Sequence, residues 1–127
     1  MMTPAARSTH VFGLYLMGAG SLLFAAPDLL LGPLGLSPPA DAWGRVAGML
    51  VVLLGIYYLV GARAESLSFM RASVWVRASV IAWLSALVVA GLAPVPLLAF
   101  GAVDLAAAAW TWVALRSMGA ASGLRVA

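Results

Sequence analysis

Four long apolar stretches constrain the fold of this chain more than any other feature. They cover residues 10–31, 43–62, 72–92 and 95–115, and each contains a single Asp or Arg. About 20 mostly apolar residues let a helix cross a bilayer, where the backbone has to satisfy its own hydrogen bonds. The sequence therefore predicts an all-α polytopic membrane protein: one transmembrane domain, built as a four-transmembrane-helix bundle, with a loose C-terminal tail at 117–127.

The composition excludes an ordinary soluble domain. Hydrophobic residues make up 65% of the 127 residues and charged residues 9%, whereas soluble domains have about 45–50% apolar and about 25% charged residues. A globule of this size has too much surface to cover with so few charges. Water is therefore not the solvent in which most of this surface is folded.

Several classes of site are excluded by residue counts alone. The chain has no cysteine and a single histidine, His10, so it supplies neither thiolate chemistry nor a site with two histidine ligands. We expect no metal site and no evident cofactor. The net charge of +3 comes from arginines at the ends of the apolar runs, and this placement predicts no nucleic-acid partner.

The positions of the arginines predict an orientation. Arg7 precedes the first apolar stretch, Arg63 and Arg71 lie between the second and third, and Arg116 and Arg125 follow the fourth. Loops rich in Lys and Arg stay on the cytoplasmic side of a membrane. We therefore expect a multi-pass membrane protein with the N-terminus and the C-terminus both cytoplasmic.

Small residues recur on one face of the second and fourth predicted helices. Such residues let membrane helices approach closely, and their spacing of three, four or seven keeps them on one face. The predicted helix-packing positions are Gly44, Gly48, Gly55, Gly101, Ala108 and Thr111.

Asp104 is the most conspicuous polar residue, because it lies about 13 Å into its predicted helix at 1.5 Å per residue. A charged Asp at that depth costs about 2.5–3.5 kcal/mol on insertion scales, so we expect it to be protonated or to have a partner. Candidate partners are Ser85 at a similar depth, Tyr57 and Tyr58 nearer the cytoplasm, and Arg45 from the outer side. A ligand or proton site and a hydrogen bond that only fixes helix register both fit this pattern.

Two other polar residues receive simpler interpretations. Arg77 lies about one and a half turns inside the third predicted helix, and we expect its side chain to extend to the inner headgroups. His10 lies at a cytoplasmic boundary, where a solvated ring is usual. Because His10 and Asp104 are expected at very different depths, the sequence indicates no Ser–His–Asp triad. It favours a protein that is not an enzyme but leaves enzymatic activity open.

The runs FAAPDLLLGPLGL, WGRVAGMLVVLLGIYYLVGAR and GAVDLAAAAWTW resemble small bacterial four-helix membrane proteins of the DoxX-like type. The matching residues are Pro27 near the outer end of the first helix, then Arg45, Gly48 and Gly55 in the second. This resemblance implies a four-helix fold and a location in the bacterial cytoplasmic (inner) membrane. Some members of that type resemble subunits of quinone-linked oxidoreductases, so the resemblance also implies a quinone as one ligand to consider.

The expected function is that of an accessory or binding subunit without catalysis of its own. Its ligand would be a small molecule, a lipid or a quinone, and its partners would be the lipid bilayer and either copies of itself, as a homo-oligomer, or a larger membrane complex. The alternative is a small proton-coupled transporter that acts as an oligomer through Asp104, because acids inside membranes often mark proton pathways.

Overall fold

The computed structural model describes residues 2–121, with side chains described as far as Gly119, and over that range it is helical with no strand. Four of its helices are long and apolar enough to cross a membrane, which confirms the predicted all-helical bundle of four candidate spans. The helices are α1 (Pro4–Ala25), α2 (Pro27–Leu31), α3 (Trp43–Arg63), α4 (Leu67–Val89) and α5 (Leu98–Ala121).

The first span begins and ends earlier than the predicted 10–31. The Thr3 hydroxyl accepts a hydrogen bond from the Ala6 N–H and caps α1, and Pro4 occupies the first turn, where its missing N–H costs nothing. The helix stops at Ala25 because Pro27 disfavours helical backbone at Ala26, which adopts φ −145° and ψ 67°. The predicted single span is therefore wrong at its C-terminal end, where α2 forms a separate short helix.

The third and fourth spans also differ from their predicted bounds. The Ser66 hydroxyl accepts a hydrogen bond from the Phe69 N–H, so α4 begins five residues before the predicted 72. A 3₁₀ turn at Val95–Leu97 precedes α5, which continues to Ala121. The predicted loose tail is wrong over 117–121, which are helical, and its remainder at 122–127 lies outside the described residues.

The bundle is built from two helical hairpins. Helix α1 packs mainly on α3, helix α4 packs mainly on α5, and the two hairpins meet mainly through α1 and α5. A Cβ on Gly48 would lie 2.6 Å from the Phe24 nitrogen and 2.7 Å from the Gly20 carbonyl oxygen. The backbones of α1 and α3 are therefore in contact at this crossing, as small residues allow in membrane helices.

The two ends of the bundle differ in character. One end, here called the arginine end, carries Arg7, Arg63, Arg71 and Arg116. At this end the Thr3 N–H donates to the Glu65 carboxylate across 3.1 Å, which ties the start of α1 to the α3–α4 loop. The opposite end, here called the cap end, is covered by α2, the loop that follows it, and the α4–α5 turn.

Candidate functional site

A cavity of about 410 Å³ lies between α1, α3 and α5 in the half of the bundle nearest the cap end. Its walls are mostly Leu, Ala, Gly, Pro and Phe side chains. Among the residues that the structure describes, Asp104 is the only charged one in the lining, and Tyr15 and Ser37 add hydroxyl groups. A mostly apolar cavity of roughly 300–1,000 Å³ with a few polar groups is the usual form of a small-molecule site.

Asp104 belongs to the floor of this cavity. It lies six residues after the start of α5, about 9 Å along the helix from the cap end. The other α5-side lining residues, Leu97 and Phe100, lie nearer the cap end, whereas Tyr15 of α1 and Val51 of α3 lie deeper on their own helices. A molecule that enters from the cap end therefore passes Leu97 and Phe100 before it reaches the carboxylate, while Tyr15 and Val51 line the deepest part of the cavity.

The Asp104 carboxylate is half-buried and forms neither a hydrogen bond nor a salt bridge within residues 2–121. Its electrostatic neighbours are the hydroxyls of Tyr15 and Tyr58 and the guanidinium of Arg77. The predicted hydrogen-bond partner is thus not present among the described side chains. One side of it remains available to a molecule in the cavity.

The position of the Arg77 side chain differs most clearly from the one predicted from the sequence. Its side chain is 1% exposed and does not extend to a headgroup region. Nε donates to the Ser73 carbonyl oxygen (3.2 Å), while Nη2 donates to the Ser73 hydroxyl (3.1 Å) and to the Thr111 hydroxyl (2.9 Å). The guanidinium is held inside the bundle because α4 and α5 both supply acceptors there.

Aromatic rings complete the surroundings of this guanidinium. Its Cζ lies 4.7 Å from the Phe12 ring centroid and 5.5 Å from the Tyr58 ring centroid. Both distances fall in the range of cation–π attraction, which strengthens where water is excluded. The remaining Arg77 nitrogen, Nη1, is buried and has no hydrogen-bond partner within residues 2–119. The negative ring faces of Phe12 and Tyr58 therefore supply part of the compensation for this cation.

The polar contacts continue from Arg77 to α1. The Thr111 hydroxyl lies 2.7 Å from the Ser8 hydroxyl, which in turn donates to the Ala5 carbonyl oxygen. We call Arg77, Ser73, Thr111 and Ser8 the polar layer. All four side chains are buried, so three helices are joined by hydrogen bonds on the side of Asp104 that faces the arginine end.

The structure brings together only some of the residues proposed around Asp104. Tyr58 is buried and contacts Phe12 and Phe69, with ring centroids 5.1 and 5.3 Å apart. Tyr57 is 68% exposed and faces away from the bundle.

The other two proposed partners also lie apart from the carboxylate. Arg45 donates to the Phe24 carbonyl oxygen at the end of α1, so it supports the cap end and does not pair with Asp104. Ser85 is partly buried and forms no hydrogen bond with Asp104.

The small residues of α3 and α5 lie at helix contacts. A Cβ on Gly55 would lie 3.0 Å from the Gly13 carbonyl oxygen, and one on Gly101 would lie 3.1 Å from the Ile81 Cα atom. Ala108 is buried. Gly44 contacts Pro39 and lines the cavity. Thr111 does more than pack, because its hydroxyl links α4 to α1.

A spacing in the sequence could have pointed to the polar layer. Met70, Ser73, Val74 and Arg77 recur at intervals of three and four, and all four are buried on one face of α4. A polar pair on such a face favours a position inside the bundle over one at its surface. The face of α5 that packs against Arg77 is harder to recognise in the sequence, because its Thr111 is surrounded by alanines and tryptophans.

Within the part of the chain that the structure describes, no group of three or more His, Asp or Glu side chains could hold a metal ion. The arrangement instead offers a single acid beside an apolar cavity, with a buried cation behind it. Comparison of the chain with protein families, with curated proteins and with solved structures gives no match, so the resemblance to DoxX-like proteins stays a prediction.

Proposed function

We propose that this chain is a membrane-embedded binding protein that holds a small, mostly apolar molecule in the cavity above Asp104. The observation that carries the proposal is the single carboxylate on the floor of an apolar cavity of about 410 Å³. Contacts with the apolar walls contribute to affinity but do not orient the ligand, whereas one polar group fixes its orientation. The chain would act as an accessory or binding subunit, without catalysis of its own.

The chemistry of Asp104 narrows the ligand class. In its ionised form the Asp104 carboxylate accepts hydrogen bonds and cannot donate them. A ligand with a hydroxyl or amine group at the end of an apolar body suits this floor. Among quinone-type molecules, the reduced quinol donates hydroxyl hydrogens to a carboxylate, whereas the carbonyls of the oxidised quinone only accept them.

The orientation that fits this proposal places the arginine end in the cytoplasm of a bacterium, in agreement with the positive-inside rule. The cap end and the mouth of the cavity then lie toward the outer face of the inner membrane. Ligand would enter from that face or from the adjacent leaflet. A reporter fused after α3 or before α4 would test this orientation, since only a cytoplasmic α3–α4 loop would make a cytoplasm-dependent reporter active.

The binding proposal is tested by thermal unfolding of the purified chain in detergent with decyl-chain quinol and quinone as probes. We expect the quinol to raise the unfolding midpoint more than the quinone. Asp104→Asn should reduce this preference. Ala19→Phe, which fills the cavity from α1, should remove the response to both probes.

A matched control separates the cavity from the rest of the surface. Ala106 is exposed on α5 and does not line the cavity, so Ala106→Phe adds the same side chain outside the site. It should bind both probes as the unmodified chain does. Equal responses from the Ala19→Phe and Ala106→Phe variants would show that the probes bind elsewhere, and no response to either probe would reject quinol-like ligands.

Proton-coupled transport is a second candidate function. It is favoured by one specific feature: the Asp104 carboxylate borders the cavity with no hydrogen bond from residues 2–121 that would hold it in one protonation state. Measurements of substrate flux in liposomes distinguish a transporter from a binding subunit. A transporter would move a substrate with a proton gradient and lose that flux in Asp104→Asn, whereas a binding subunit would give no flux in either form.

A further inference from the structure

A second recess lies on the outer side of the bundle, between α4 and α5 at the arginine end. Its volume is about 480 Å³, and it is separate from the cavity above Asp104. We call it the interfacial groove. Its side chains come from one face of each helix: Arg71, Val74 and Trp75 from α4, and Trp112, Leu115 and Arg116 from α5.

The antiparallel hairpin explains why these residues meet. Arg71 is the fifth residue of α4, and Arg116 lies five residues before the end of α5. Each helix places its arginine and tryptophan four residues apart, which is one turn. Both arginines therefore lie near the membrane surface, and each tryptophan lies about one turn deeper.

The groove is positively charged, and the described part of the chain places no acidic side chain in its lining. The chain contains four acidic residues. Asp28 and Asp41 lie at the cap end, Asp104 faces the cavity, and Glu65 accepts a hydrogen bond from Thr3. In the described range, neither Arg71 nor Arg116 forms a salt bridge.

The two tryptophans place the groove at a lipid interface. Trp75 is 73% exposed and Trp112 is 44% exposed, so their rings face the surroundings of the bundle. Tryptophan is enriched at the depth of lipid headgroups, where one part of the ring is apolar and the N–H is wet. The Arg116 guanidinium is already oriented there, with its Cζ 4.8 Å from the Trp112 ring centroid.

We propose that the interfacial groove binds the headgroup phosphate of one anionic phospholipid. Two guanidinium groups with no acidic partner among residues 2–119 match a phosphate, because arginine presents paired N–H donors to its oxygens. Basic pockets between transmembrane helices are a recurrent form of anionic-lipid site. The exposed Trp75 and Trp112 rings continue the groove toward the membrane interior, so a lipid with its acyl chains fits the surface better than a free phosphate ion.

The test is lipid retention, measured by native mass spectrometry after reconstitution with phosphatidylglycerol or phosphatidylcholine. The unmodified chain should retain one phosphatidylglycerol in preference to phosphatidylcholine. The Arg71→Gln/Arg116→Gln variant should lose that preference by about thirtyfold, the effect expected for two arginines at a lipid surface. Millimolar inorganic phosphate should not displace the lipid.

The matched control is Arg7→Gln/Arg63→Gln. It removes the same charge from the same end of the bundle but leaves the groove intact, so it should retain phosphatidylglycerol as before. An equal loss in both double variants would overturn the proposal in favour of a general charge effect. Displacement by phosphate would overturn the choice of a lipid. Unfolding midpoints of both variants check that the bundle is intact.

Discussion

Arg77 and Asp104 carry opposite charges inside one bundle, yet Arg77 bonds to Thr111, which follows Asp104 by seven residues on α5. Seven residues are two helical turns, so one face of α5 presents both the acid and the hydrogen-bond acceptor for the cation. The acid is left on the cavity side and the cation on the side of the arginine end. The separation keeps Asp104 available to a ligand while its charge is still compensated.

The coupling between these two charges is measurable in a double-mutant cycle. Arg77→Met should lower the free energy of unfolding by about 3–5 kcal/mol, because it leaves a buried acid without its compensating cation and removes the donor to Thr111. Asp104→Asn in that background should restore about 0.5–3 kcal/mol relative to the sum of the single effects. The measurement is reversible unfolding in mixed detergent micelles, and strictly additive effects would refute the coupling.

Arg77→Lys separates charge from geometry. Lysine keeps the positive charge but lacks the planar fork that reaches Ser73 and Thr111 together. We expect a stability between those of the unmodified chain and Arg77→Met in the same unfolding assay. If Arg77→Lys were as stable as the unmodified chain, the hydrogen bonds of the polar layer would contribute little.

The neighbouring residues Tyr57 and Tyr58 form a natural matched pair. Tyr58 is 4% exposed and contacts Phe12, Phe69 and the Arg77 guanidinium, whereas Tyr57 is 68% exposed. Tyr58→Ala should therefore lower the free energy of unfolding by about 3–5 kcal/mol, as for other buried aromatic residues. Tyr57→Ala should change it by less than about 1 kcal/mol. Similar losses in both variants would contradict the packing of this cluster.

Contact between the α1 and α3 backbones is tested by adding one methyl group. In Gly48→Ala the new Cβ would meet the Phe24 nitrogen and the Gly20 carbonyl oxygen. The helices would have to separate, at a cost of about 1–3 kcal/mol. Gly18→Ala is the control, since no atom lies within 4 Å of its added Cβ, and it should be neutral or raise stability by up to about 1 kcal/mol. A lower thermal unfolding midpoint in Gly48→Ala than in Gly18→Ala would support the contact between α1 and α3. Equal midpoints in the two variants would contradict it.

Acid sensitivity should arise in part from the α3–α4 loop. The Thr3 side chain, and then its backbone N–H, lower the pKa of Glu65 below its usual value by stabilising the ionised form. A carboxyl with a depressed folded-state pKa stabilises the protein above its unfolded-state pKa, and this contribution is lost as the pH falls through the folded-state pKa. Stability should therefore fall as the pH drops below the usual glutamate range. Unfolding midpoints across this pH range should show a weaker decrease in Glu65→Gln.

The conformation of Glu65 offers an independent check on this interpretation. Its φ of 49° lies in the left-handed region that favours glycine. Glu65→Gly relieves this backbone strain but also removes the carboxylate, so it should show the same weakened acid response as Glu65→Gln. Acid dependence identical to that of the unmodified chain in both variants would exclude Glu65 as its source.

The number of candidate spans could be predicted because bilayer thickness sets the length of an apolar helix. The ends of those helices depend on local chemistry that hydropathy does not contain. Pro27 ends α1 although the following residues are still apolar, and the hydroxyls of Thr3 and Ser66 start helices before the apolar runs begin. Hydropathy therefore locates the spans but leaves their capping turns undetermined.

The site was harder to predict than the fold. Asp104 is recognisable because an acid within an apolar run has few explanations, but its cavity depends on how α2 and the cap-end loop fold over the bundle. The sequence predicts Arg77 at the membrane surface, because a long side chain can reach water from about one and a half turns inside a helix. Only the tertiary structure shows that Thr111, Phe12 and Tyr58 lie close enough to hold it in place.

The position of Arg77 also has a consequence for the biogenesis of the protein. The groups that surround its guanidinium come from α1, α3, α4 and α5, and α5 is synthesised last. Until α5 leaves the ribosome, α4 carries a charge whose Thr111 acceptor and Asp104 counter-charge do not yet exist, and an uncompensated arginine is costly in hydrocarbon. The short α4–α5 turn reduces this interval, so the last two helices are suited to enter the membrane together as one hairpin.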